Sequence, residues 1–206
     1  SIKGYLEAIK DGTIPPELYD KYLGILISET ERLNKLTQGM LTLNSLDSKG
    51  FLTRSNFDIN RVIKDTAATF EGTCNAKDIV LDLTFAADIQ MVYADLGKIQ
   101  QVLYNLIDNA IKYSHDSLNI YIYTKQEGNR FIIGVRDTGI GIPKEAQDKV
   151  FKRFYRVPSG NVHNVKGFGL GLSYAKSIVE LHGGEIQLTS KKNKGTQVEI
   201  IFKMES

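Results

Sequence analysis

Four side chains in the segment Val102–Ser114, VLYNLIDNAIKYS, have the types and spacing of a binding stripe. Asn105, Asn109, Lys112 and Tyr113 stand at i, i+4, i+7 and i+8, positions that share one face of an α-helix. Val102, Leu103, Leu106, Ile107, Ala110 and Ile111 supply the apolar face on which such a helix packs. An asparagine amide oxygen is a hard ligand adequate for magnesium, which keeps several waters and takes one or two protein oxygens beside phosphate oxygens. Asn109 is centred on the stripe and is the candidate metal ligand. Lys112, about one turn later, suits a phosphate oxygen, and Tyr113 offers a ring to an adenine face.

Two glycine-punctuated segments follow, Asp137-Thr-Gly-Ile-Gly-Ile142 and Gly167-Phe-Gly-Leu-Gly-Leu172. Asp137 ends an apolar strand pattern and enters a turn made by Gly139 and Gly141. A carboxylate there can accept the exocyclic amine of adenine, and the glycines let backbone come close to the base. Gly167, Gly169 and Gly171 precede and open a helix, whose exposed N-terminal amides suit a polyphosphate. Between the two lies the long polar stretch Lys144–Lys166, with Arg153, Arg156, Pro158, Ser159 and Gly160, which reads as a lid. Taken singly, a glycine pair is an ordinary strand-to-helix turn, an Asn-x-x-x-Asn pair a solvated helix face, and an aspartate before glycine a turn-former. Their joint order, amide helix, strand–Asp–GxG, aromatic-basic segment, GxGxG opening a helix, is specific for a Mg·ATP site.

The elements that must carry these residues are legible in outline. The 206 residues suffice for one large domain plus a smaller helical appendage. A net charge of +2 does not argue for nucleic acid or a membrane surface as partner. The single cysteine, Cys74, excludes an intrachain disulfide and fits a reducing, cytoplasmic setting. No apolar run is long enough to span a bilayer. The chain opens directly in a helical pattern, as expected of a piece of something longer.

Residues 1–50 read as two helices joined by Asp11-Gly-Thr-Ile-Pro-Pro16, with Gly12 at a helix end and the prolines at the next helix entry. Leu18, Tyr22, Ile25, Leu33, Leu36, Met40 and Leu43 recur at spacings near three and four, interrupted at Glu29. This is the stripe either of one amphipathic helix packed on its own domain or, the reading preferred, of half a dimeric helical bundle. Residues 51–206 read as mixed α/β. Strands are expected at Phe57–Ile59, Ile79–Phe85, Met91–Ala94, Leu118–Thr124, Phe131–Arg136, Glu185–Thr189 and Gln197–Phe202. Helices are expected from Asn60, as cap, to about Thr73, from the Asp95 cap through the amide stripe, and from Gly169 to His182 before Gly183-Gly184. The basic run Lys191-Lys-Asn-Lys-Gly195 reads as a solvated hairpin turn. The fold class is α+β, a two-layer sandwich with helices on one face of a mixed sheet.

Over residues 56–203 these motifs resemble the catalytic and ATP-binding domain of sensor histidine kinases, with the Bergerat ATP-binding fold. Asn105–Tyr113 is similar to the family's N box, Asp137-Thr-Gly-Ile-Gly to its G1 box, and Phe151-Lys-Arg-Phe-Tyr-Arg156 to its F box. Gly167-Phe-Gly-Leu-Gly171 resembles the G2 box, and Gly195-Thr196 the closing glycine–threonine element. The resemblance implies Mg²⁺ on Asn109, Asn105 and Lys112 at the phosphates, and Arg153 or Arg156 assisting transfer. It further implies adenine packed on Tyr113 and bound by Asp137, with Gly139, Gly141, Gly167, Gly169, Leu170, Gly171 and Thr196 lining the nucleotide. Residues 1–50 resemble the family's dimerisation and phosphoacceptor bundle just after its H box, and the H box itself is not in this sequence. Of the three histidines, His182 suits a helix-end cap with a dipole role, His115 the surface and His163 the lid. Implied partners are ATP, a response-regulator receiver domain and a second copy of the chain, with a parent protein attached to a membrane.

Two other functions share these residues. A hydrolytic ATPase of the same fold needs a glutamate base one turn before the metal-binding asparagine, where this chain has Asn105, and Asp108 points about 100° away. A nucleotide-binding pseudokinase or interaction module would use the same pocket without chemistry.

Overall fold

A computed structural model describes residues 1–47, 51–114, 119–157 and 168–204, with the side chains of residues 32, 35, 36 and 38–47 also outside the description. The chain divides into two compact units, Ser1–Gly50 and Phe51–Ser206.

The first unit is a helical hairpin. Helix α1, Ile2–Lys10, is capped by Ser1, whose hydroxyl accepts from the Gly4 amide, and Gly12 leaves it at φ +77°. A short 3₁₀ turn, Pro16–Leu18, leads into α2, Tyr19–Asp47. Ile14 and Leu26 are buried and Tyr5 stacks obliquely on Tyr22, whereas Leu18, Leu23, Ile27 and Leu33 stay exposed. Of the expected stripe, Leu36, Met40 and Leu43 have side chains outside the described residues.

The second unit is a two-layer sandwich, as expected from the strand and helix pattern. Its sheet has five strands in the order β2-β4-β5-β7-β6: β2 Val80–Thr84, β4 Asn119–Glu127, β5 Arg130–Arg136, β6 Glu185–Lys191 and β7 Gly195–Lys203. β2 runs parallel to β4 and every other pair is antiparallel, so the sheet is mixed. Ile120, Ile122, Ile133, Val135, Val198 and Ile200 form its buried face. Against that face lie the apolar sides of α3 Ile59–Ala68, α5 Leu96–Tyr113 and α7 Gly171–Leu181, with α5 central and touching both other helices and β5. Burial of one stripe per helix and one face of the sheet is the force that fixes this arrangement.

Three details differ from the sequence expectation. The cap of α3 is Asp58, whose carboxylate accepts from the Asn60 amide, and Asn60 lies fully buried, donating its side-chain N–H to the Ala87 carbonyl at 2.7 Å. The helix does not run to Thr73. It stops at Ala68 because Phe70 turns into the core, its ring 4.7 Å from that of Tyr104, and α4, Glu71–Ala76, starts afresh. The strand expected at Phe57–Ile59 is β1, Ser55–Asp58, which pairs with β3, Met91–Ala94, in a separate two-stranded sheet.

Candidate functional site

The amide helix is held at its start by Asp95, whose Oδ1 accepts from the Lys98 amide at 3.1 Å. Ile99, Val102, Leu103, Leu106, Ile107, Ala110 and Ile111 are buried, which leaves Asn105, Asn109, Lys112 and Tyr113 half-buried along the other side. Neither asparagine side chain hydrogen-bonds to another described residue. A Cβ placed on Gly171 would meet Asn109 Nδ2 at 3.4 Å and the Asn105 side chain at 3.8 Å. Glycine therefore brings the first turn of α7 directly beside both amides. That helix begins without a side-chain cap, so its first N–H groups have no side-chain acceptor among the described residues. Two uncommitted amide groups beside an uncapped helix N-terminus fit a magnesium-bound polyphosphate. Lys112 forms an ion pair with Asp108 one turn earlier on its own helix.

Asp137 follows β5 and is 8 % exposed. Its Oδ1 accepts from the Gly139 amide at 2.8 Å and the Thr196 amide at 3.2 Å, while its own amide donates to the Thr196 carbonyl at 2.8 Å. Both recorded bonds fall on Oδ1, leaving Oδ2 to accept from a ligand. Burial raises the carboxyl pKa, and the Gly139 and Thr196 amides oppose that rise. The glycines here are required by backbone approach. A Cβ on Gly139 would sit 2.2 Å from the Tyr113 carbonyl oxygen, and one on Gly195 (φ +100°) 2.0 Å from the Asp137 carbonyl oxygen. The Ile140 amide donates to the Tyr113 carbonyl at 3.1 Å, so the Asp137–Ile142 turn is seated on the C-terminal end of α5. At the same junction the Ser114 hydroxyl is buried with no partner among the described residues, a polar atom that a ligand or water can satisfy.

The chain leaves the turn through α6, Lys144–Gln147, and a run of tight turns that carries Arg153 and Arg156, both exposed. This run is tied to the start of α7. The Phe154 amide donates to the Gly169 carbonyl at 3.0 Å, with Phe154 at φ +63° and Gly169 at φ +69°. A Cβ on Gly169 would lie 2.5 Å from the Tyr155 carbonyl oxygen. Leu170 precedes α7 and accepts from the Tyr174 amide. Gly167, His115 and His163 lie outside the described residues.

His182 caps α7, but as a neutral ring. Its Nε2 lies 3.1 Å from the Asp95 amide, which can only donate, so Nδ1 carries the hydrogen and gives it to the Ile178 carbonyl at 2.8 Å. Burial holds its pKa below the ordinary value; the Ile178 hydrogen bond opposes this, nearby Arg54 adds to it, Asp95 opposes it and Lys98 adds to it. The dipole role expected of a charged ring is thus replaced by a bond that ties α7 to the cap of α5.

Residues that the sequence pattern did not single out complete the Asp137–Ile142 turn. The Ile142 amide donates to Ser190 Oγ at 2.7 Å, and Gln147 Nε2 donates to the carbonyls of Ile142 at 2.9 Å and Ser190 at 2.8 Å. The Asn193 amide donates to the Ile140 carbonyl at 2.7 Å. The basic hairpin is therefore docked on the Asp137–Ile142 turn. Only the β6–β7 register, which pairs Ser190 with Thr196, could have revealed this.

Residues 94–206 match the family model of histidine kinase-, DNA gyrase B- and HSP90-like ATPases. The sensor protein RprX of Bacteroides fragilis is 35 % identical over 93 % of this chain and 38 % of its own length. The sensor protein kinase WalK of Staphylococcus epidermidis is 34 % identical over 100 % of this chain and 34 % of its own. Among solved structures, the histidine kinase AdeS of Acinetobacter baumannii superposes with a TM-score of 0.81 at 28 % identity, covering 100 % of this chain and 94 % of that one. The chain spans little more than a third of the length of these two curated relatives. No described helix is long and apolar enough to cross a membrane.

Proposed function

The chain belongs to the histidine kinase-, DNA gyrase B- and HSP90-like ATPase family, as the ATP-binding catalytic part of a sensor histidine kinase, and on that premise we propose how its residues divide the work. The observation that carries the reading is the meeting of Asn105 and Asn109 with the uncapped start of α7 at Gly171. Asn109 would hold Mg²⁺ through its amide oxygen. A magnesium ion held there would supply charge neutralisation at the phosphate oxygens. Asn105 and the first amides of α7 hold the phosphates, and Lys112 leaves Asp108 to reach them once nucleotide supplies a stronger counter-charge. Asp137 Oδ2 accepts the adenine amine, Tyr113 packs on the base, and Thr196 lies beside Asp137. Gly139, Gly141, Gly167, Gly169, Leu170 and Gly171 line the nucleotide. Arg153 or Arg156 neutralises the γ-phosphoryl group during transfer.

In the reaction the bond from the γ-phosphorus to its bridging oxygen breaks, a bond from phosphorus to a histidine nitrogen forms, and ADP leaves. The accepting histidine lies on a helix outside this sequence, and the phosphoryl group then passes to a receiver-domain aspartate. The protein's part is positioning and charge neutralisation. Hydrolysis is disfavoured because Asn105 has no proton affinity to offer an attacking water, and Asp108 points about 100° away from Asn109 around the helix. The exposed apolar side chains Leu18, Leu23, Ile27 and Leu33 of the helical unit support a homodimer, and a membrane-attached parent with this part in the cytoplasm follows the same kinship.

The test is radiolabelled γ-phosphoryl transfer from Mg·ATP to a separately supplied helix bearing the family's phosphoacceptor histidine. Label on the helix, lost in Asn109→Ala, supports the assignment. Release of inorganic phosphate with an unlabelled helix would transfer the reading to an ATPase.

A further inference from the structure

Ser190 stands opposite Thr196 in the β6–β7 pair, and its hydroxyl has three polar neighbours: the Ile142 amide at 2.7 Å, the Gly195 carbonyl at 2.9 Å and the Thr196 hydroxyl at 2.9 Å. A hydroxyl has one hydrogen to give and two lone pairs with which to accept. The Ile142 N–H can only donate, so it takes one lone pair. The Gly195 carbonyl can only accept, so it takes the hydrogen. What remains for Thr196 is the second lone pair of Ser190. The Thr196 hydroxyl must therefore donate to Ser190, and its own lone pairs are all it can offer to anything else it meets. Thr196 has no other side-chain bond among the described residues, and its amide is bound to Asp137 Oδ1.

We propose that Ser190 is a positioning residue for base selectivity: it consumes the hydrogen of Thr196, so that the site flanked by Asp137 and Thr196 presents acceptors only. Such a site takes a purine with an amine at position 6 and repels one with a carbonyl oxygen there, which would face two sets of lone pairs. The inference rests on the reading of Asp137 and Thr196 as the adenine contacts given above. Fixing hydroxyl direction through a neighbouring strand needs no contact between Ser190 and the ligand. A site whose buried polar groups are left mismatched discriminates far better than shape alone.

The experiment uses the full chain with Mg²⁺ and compares its affinity for non-hydrolysable analogues of ATP and GTP. Ser190→Ala releases the Thr196 hydroxyl to turn and donate, and the ATP-over-GTP ratio is expected to fall about tenfold, the worth of one misoriented hydrogen bond. Ser190→Thr keeps the hydroxyl and is expected to keep the ratio. Gln147→Leu loosens the same turn without touching the Thr196 hydrogen, and should weaken both analogues alike. Thr196→Val, which removes the acceptor directly, should lower the ratio as Ser190→Ala does, and serves if the latter does not fold. Full selectivity retained in Ser190→Ala or Thr196→Val, with ATP still bound, overturns the role of Ser190 while leaving the ATP site standing. No ATP binding by the parent chain overturns both.

Discussion

At the scale of single residues, what each side chain can offer a ligand depends on which of its atoms are already committed. Asp137 Oδ1 is occupied by two backbone amides, so in Asp137→Asn the new NH₂ group must take the other position and point a donor at the base. Losing a charge-assisted hydrogen bond and gaining a repulsive contact should weaken ATP by about 10- to 100-fold and remove its advantage over GTP. Because the carboxyl pKa of Asp137 is raised by burial, ATP affinity should begin to fall on acidification earlier than an ordinary carboxylate would dictate; titration of analogue affinity against pH reads this directly. His182 gives a separate pH effect, on stability. Its folded pKa is depressed from the ordinary 6.5, so its contribution is present above that value and is lost as pH falls through the folded pKa. Urea midpoints should therefore drop more steeply between about pH 7 and about pH 5 for the parent than for His182→Gln, which cannot take up a proton there. Equal slopes would remove His182 from the account. The candidate site residues were legible from residue type because few chemistries need two amides, a carboxylate and clustered glycines in that order. The neutral His182 was not, since its ionisation depends on burial and on the Asp95 amide, more than eighty positions away in sequence.

At the scale of elements, the site is the place where four segments are forced together by backbone contact. Gly139 admits the Tyr113 carbonyl, Gly195 admits the Asp137 carbonyl, and Gly171 admits the amide stripe. Gly195→Ala combines φ +100° with a collision at 2.0 Å against backbone, and no side-chain rotation can relieve either. It should cost about 2 to 4 kcal/mol by denaturant unfolding and displace Asp137 from its amide cradle. Gly12→Ala, with φ +77° and open space around it, should cost only about 1 kcal/mol. Comparison of the two separates backbone strain from collision. Sequence pattern located the long elements well, because α5 and the paired strands carry clear periodicity. Around α3 it is ambiguous, because the pattern points to Asn60 as the cap. Asp58 and Asn60 are both capping types two positions apart, and only the burial of Asn60 beneath the 87–88 carbonyls decides between them. It also ran one helix through Phe70, since no glycine or proline marks a break that core packing against Tyr104 imposes.

At the scale of the whole molecule, the chain is a helical hairpin unit followed by a nucleotide-binding unit, and it spans little more than a third of two curated relatives. The hairpin leaves Leu18, Leu23, Ile27 and Leu33 exposed along its helices, an apolar excess that a four-helix dimer would cover. Sedimentation should show a dimer that dissociates in Ile27→Glu, whereas a parent chain that sediments as a monomer at high concentration would contradict this. The central claim is that the second unit binds Mg·ATP through its amide stripe and Asp137. Its most direct test is a calorimetric titration of the parent chain and Asp137→Asn with a non-hydrolysable ATP analogue, with and without Mg²⁺. Binding that needs the metal and is lost or severely weakened in the variant is the expected result; metal-independent binding, or equal binding by both proteins, would contradict it.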